Sequence, residues 1–102
     1  MLNRTNPIQP AKPPINDQMQ IGAMRIALTI EELTAQGYVV IGIEYSSHSR
    51  PTIQVQNSAL CHELVERGEA TYYRTGAGEN GRYRIGQFKS GDVRVLWMER
   101  GN

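Results

Sequence analysis

The chain has 102 residues, 39% hydrophobic and 21% charged, which suits one globular domain and leaves no room for a second core. Eleven basic side chains against ten acidic ones leave a formal charge of +1, so no global field draws the molecule onto nucleic acid or an anionic membrane. Its single cysteine, Cys61, excludes an intramolecular disulfide and a cysteine-built metal cluster.

No apolar run approaches the roughly 18–20 residues that cross a bilayer, and the first twenty residues lack the apolar centre of a signal peptide. The expectation is a cytoplasmic protein with no membrane partner. Nine of the eleven cations are arginine, a side chain suited to forked contacts with carboxylate or phosphate.

Residues 1–22 read as a flexible proline-rich arm, because four of the five prolines fall within its first fourteen positions. Proline fixes φ and removes a donor, so such a stretch extends neither a helix nor a ladder. Residues 23–102 form the expected single domain. Met24–Leu28 has the weak pattern of a short strand. Thr29 and Glu32 have capping-box spacing and Gly37 supplies a left-handed stop, which predicts a helix over Ile30–Gln36.

Tyr38–Tyr45 (YVVIGIEY) is the clearest strand, β-branched and aromatic. Apolar residues on both faces place it in the middle of the sheet. After the polar loop 46–51, Thr52–Gln56 alternates with Ile53 and Val55 inward, completing a hairpin. Asn57 or Ser58 caps a helix over Ala59–Arg67, whose apolar stripe is Leu60, Cys61, Leu64 and Val65. The last third is a meander: Ala70–Thr75, a tip at Asn80-Gly81, Arg82–Phe88, and Val93–Glu99.

The fold expected is therefore α+β, an antiparallel sheet of order (β)αββαβββ with the Ala59–Arg67 helix packed on one face. Leu33, Val39, Ile41, Ile43, Ile53, Val55, Leu60, Leu64, Ile85, Val95 and Trp97 are its predicted core.

No constellation demands an enzyme. Ser46, Ser47 and Ser49 flank His48 without a G-x-S-x-G elbow, and neighbouring loop residues rarely meet as nucleophile and base. Cys61 and His62 point about 100° apart on a helix, and Cys61 lies on the apolar stripe, so it reads as a buried structural thiol. His62 and Glu66 share a helical face but two ligands do not make a metal site. The Gly76–Gly81 stretch lacks GK[ST] and leads into a strand, so it reads as a hairpin tip. No catalytic residue, metal or cofactor is expected.

The outer face of the meander is the candidate site. Residues 70–100 carry six cations against three acids. Arg74, Arg82, Arg84, Arg94, Leu96 and Met98 are predicted to form a partner-binding surface, with His48 and Arg50 as a second patch. Arginines with aliphatic residues between them suit a protein interface; arginines with tyrosine also suit nucleic acid.

Two resemblances bear on function. Arg82-Tyr83-Arg84-Ile85-Gly86 with Val93–Trp97 resembles the last strands of the RelE/ParE-type toxins. That resemblance implies a ribonuclease using Arg82, Tyr83 and Arg84, although a β-hairpin stands here where those toxins have a helical hairpin. Ser49–Ile53 and the closing strand resemble small accessory proteins of lambda-like prophages, which implies a phage-derived, non-enzymatic module that inhibits or modulates a host complex. The expected function follows: a protein-binding module acting on a host protein or complex, able to form a homodimer. The alternatives are a nucleic-acid-binding protein and a RelE-like toxin.

Overall fold

A proline pair opens the first helix instead of preventing it. In the computed structural model, which describes residues 13–101, Pro13 is the N-cap and helix α1 runs Pro14–Gln36. Proline in the first turn gives up an N–H that has no intrahelical acceptor, and its φ is already helical. The expected arm is thus corrected from Pro14 onward; residues 1–12 lie outside the described residues. The expected strand at Met24–Leu28 and the late helix start at Ile30 are corrected with it.

The reason is the helix's buried stripe, Gly22, Ile26, Thr29 and Leu33, which recurs every three or four residues but contains a glycine and a threonine. Thr29 is not a cap; its Oγ1 donates back to the Arg25 carbonyl at 2.7 Å. Gly22 is needed because the Tyr45 ring lies on it: a Cβ there would stand 2.2 Å from the ring. The Tyr45 hydroxyl then donates to the Gln18 carbonyl at 3.0 Å. Gly37 does end the helix as expected, at φ 99°, with the Tyr38 N–H bonded to the Leu33 carbonyl at 3.0 Å.

The other elements are β1 (Val40–Glu44), β2 (Thr52–Val55), α2 (Ala59–Glu66), β3 (Thr71–Gly78), β4 (Gly81–Ser90) and β5 (Val93–Gly101). The α+β class stands. The five strands form one sheet of order β1-β2-β5-β4-β3. β2 and β5 run parallel, pairing Ile53 with Val95, so the sheet is mixed and the antiparallel expectation is corrected. A parallel neighbour needs a long crossover, and α2 with the β3–β4 hairpin supplies it.

That arrangement also moves β1 to an edge. Val39, Ile41 and Ile43 are 54%, 57% and 61% exposed, so they leave the predicted core. Two-sided apolarity suggested a central strand, but the middle of the sheet belongs to β5. Val93, Val95 and Trp97 of β5 join Ile53 and Val55 on one face, each at 1% exposure or less. Ile26 and Leu33 of α1 and Cys61 and Leu64 of α2 close over that face. Burying each such aliphatic side chain contributes about 1.5–3 kcal/mol. Leu60 packs half-buried against the cluster, while Ile85 is half-buried on the other face.

Trp97 fixes the register of the meander. It lies across Gly86, its cross-strand partner, where a Cβ would meet the indole at 2.2 Å. Tyr72 and Phe88 flank it, with ring centroids 5.9 and 6.4 Å away. No helix among the described residues is long and apolar enough to cross a membrane.

Candidate functional site: two faces of the meander

Paired residues of neighbouring strands share a face, so the β4–β5 register decides which arginines act together. Met98 pairs with Ile85, Leu96 with Gln87 and Arg94 with Lys89. Arg74 pairs with Ile85 on the other side of β4. These residues occupy the face turned away from both helices. Arg84 pairs with Glu99, next to Gly86 with Trp97, so Arg84 and, two residues away, Arg82 lie on the helix-bearing face. The six-residue surface expected from the sequence is corrected: Arg74, Arg94, Leu96 and Met98 come together, and Arg82 and Arg84 do not join them. Alternation orders faces within one strand; only the register relates one strand's faces to the next.

The bare face has an aliphatic centre of half-buried Ile85, Leu96 and Met98. Lys89, Arg94 and Arg74 stand around it. The Arg94 guanidinium lies 5.7 Å from the Tyr73 ring centroid, and its Nε is buried without a hydrogen-bond partner among the described residues. At one end of this face Arg50 lines a cleft of about 710 Å³ together with Arg94, Lys89, Glu44 and Glu69. Arg50 thus adjoins the main surface. His48 sits in the exposed 46–51 loop, where its N–H bonds Ser46 Oγ at 3.2 Å, and does not line that cleft.

The helix-bearing face holds a cluster that sequence reasoning missed. Glu99 accepts from Tyr72 Oη at 2.7 Å, from Trp97 Nε1 at 2.9 Å and from Arg84 Nε at 2.9 Å, and His62 Nε2 stands 3.2 Å from it. Its side chain is 11% exposed. Burial by itself pushes a carboxyl up, but here the hydrogen bonds from Trp97, Tyr72 and Arg84 win and hold it at about 2. Burial and the bond to Glu99 push the Tyr72 hydroxyl up in turn. The Arg84 guanidinium stacks 3.9 Å from the Tyr72 ring centroid and is raised by its bond to Glu99.

A carboxylate held so low carries its charge at ordinary pH values, and with Tyr72 and Trp97 on Oε2 and Arg84 on Oε1 it orients those three donors. One sequence signal pointed to it: Trp97 and Glu99 are two apart on a strand whose Trp97 face is core. An inward acid there requires donors.

His62 reaches toward Glu99, not Glu66, so the helical His–Glu pair does not converge. Among the described residues no three His, Cys, Asp or Glu side chains gather as metal ligands. Cys61 is fully buried as expected, and burial pushes its thiol up.

No curated protein matches the chain, and no solved structure does. The chain belongs to the family described as "Uncharacterised protein", whose model matches residues 5–100.

Proposed function

We propose that the chain is a non-enzymatic protein-binding module that docks through the bare face of its sheet. The observation that carries this reading is the one-sided packing: both helices close over the Val95–Trp97 face, and the opposite face is left with Ile85, Leu96 and Met98 among cations. An apolar centre inside a charged rim is the anatomy of a protein interface.

The partner it fits has an acidic rim. Arg74, Lys89 and Arg94 stand on that face with Arg50 at its end, where Glu44 and Glu69 are the acids that line the cleft. The exposed acids Glu31, Glu32, Glu63 and Glu66 belong to the helices on the other side. A near-neutral chain thus presents a positive sheet face. A toxin-like ribonuclease would need Arg82, Tyr83 and Arg84 on one surface, whereas successive strand residues point to opposite faces.

A photo-crosslinking residue at Gln87, in the centre of the face, should capture one acidic protein at a fixed stoichiometry. The same residue at Glu66 on α2 should not. Met98→Glu should abolish capture while leaving the circular dichroism unchanged. Equal capture from both positions would refute the assignment. Capture of nucleic acid, with affinity falling steeply as salt rises, would replace the protein partner by a nucleic-acid one, a reading that Tyr73 beside Arg94 favours.

A further inference from the structure

Arg82 and Arg84, which the register removes from the docking face, have a setting of their own. At the turn end of the β3–β4 hairpin lies a cleft of about 690 Å³. Arg82 and Arg84 line it from the helix-bearing face together with Thr75 and Ala77, while Arg100, Tyr83 and Gly76, which the register puts on the other face, stand at its edge. We propose that this cleft binds a small organic phosphate monoester, its phosphoryl group held by Arg82 and Arg84 and its body resting against Thr75 and Ala77. The inference is independent of the docking face.

Three observations carry it. The charge balance of the cleft is positive, because its acid, Glu99, is 11% exposed and already bonded to Tyr72, Trp97 and Arg84. Arg84 is positioned before any ligand arrives: Nε is tied to Glu99 at 2.9 Å and the guanidinium plane lies 3.9 Å from the Tyr72 ring centroid. Its side chain is nevertheless 51% exposed, so its two terminal nitrogens are oriented and available.

A planar fork held in one pose suits the paired oxygens of a phosphoryl group. Pre-ordering also removes the rotamer entropy that a free arginine gives up on binding. Finally, the volume exceeds what an inorganic anion fills and lies in the range of small-molecule sites, about 300–1,000 Å³. Thr75 and Ala77, paired with Arg84 and Arg82, put only small side chains on the wall beside the two arginines.

The chain's single tryptophan reports on the site, because Trp97 Nε1 bonds the same carboxylate that holds Arg84. The purified full chain is titrated at constant ionic strength with inorganic phosphate and with adenosine monophosphate, and heat and Trp97 emission are recorded. Both probes should give saturable binding, the nucleotide more tightly. Arg84→Gln should weaken the nucleotide about ten-fold or more. Arg82→Gln, which removes no ion pair of the described residues, should weaken it several-fold with the fold intact. Arg94→Gln, on the opposite face, should leave it unchanged.

No saturable binding of either probe up to about 10 mM overturns the proposal. So does full binding by Arg82→Gln together with an Arg84→Gln variant that folds and binds normally. Equal weakening by Arg94→Gln overturns it too, since that result marks attraction to net charge and not a site.

Discussion

Replacing Glu99 by glutamine keeps the shape of the side chain and removes its charge. In the native fold its carboxyl is held at about 2 instead of 4.5, a difference worth roughly 3 kcal/mol at neutral pH. Glutamine also presents an amide donor where Tyr72, Trp97 and Arg84 all donate, so at least one bond becomes a donor–donor contact. Glu99→Gln should therefore lose about 3 kcal/mol in urea unfolding at pH 7, and more than about 10 °C in Tm for a domain of this size.

The pH dependence supplies the second half of the test. A carboxyl whose native value is depressed stabilises the fold fully above 4.5, and that stability drains away as pH falls from there toward about 2. The wild-type chain should lose stability over that window, and the gap between wild type and Glu99→Gln should close. Unfolding is followed by Trp97 emission and checked by circular dichroism. A loss below about 1 kcal/mol at pH 7, or a gap that stays constant down to pH 3, would refute the reasoning.

Three further outcomes are expected. Gly86→Ala should cost at least about 1–3 kcal/mol by overpacking, because the new methyl would sit 2.2 Å from the Trp97 indole; a neutral result in urea unfolding would show that the indole is free to move. Ile53→Ala, inside the core at 0% exposure, should cost about 2–5 kcal/mol, whereas Leu96→Ala on the bare face should cost less than half of that, and equal losses would mean that something covers the face. Cys61, at 0% exposure, should react with a thiol reagent only at the rate of unfolding, which rapid labelling of the native chain would contradict.

The local elements were legible where a strong period or a turn residue governed them. Ile53 and Val55 alternate inward, Leu60, Cys61, Leu64 and Val65 mark one side of α2, and Gly37 and Asn80-Gly81 punctuate the chain where the structure turns. The first helix was hidden because two of its four core positions are Gly22 and Thr29, whose role depends on Tyr45 and on the sheet beneath them. The place of β1 was hidden because an apolar strand looks the same at an edge as in the middle; what decides it is the β2–β5 pairing, set by residues forty-two positions apart. The candidate surface was half legible for the same reason. Parity along β5 correctly grouped Arg94, Leu96 and Met98, but joining them to Arg82 and Arg84 required a register that no single strand encodes. The Glu99 cluster draws on α2, β3, β4 and β5 at once, so only the assembled fold brings it into view.

The central seat of β5 has a consequence for the order in which the molecule can assemble. During synthesis the first hairpin and the β3–β4 hairpin leave the ribosome as two separate halves, each with the side that will receive β5 unsatisfied. An isolated hairpin is marginal in water. Cooperative folding must therefore wait for the segment around Val95 and Trp97, the keystone of both halves, so the nascent chain stays protease-sensitive until that segment clears the exit tunnel.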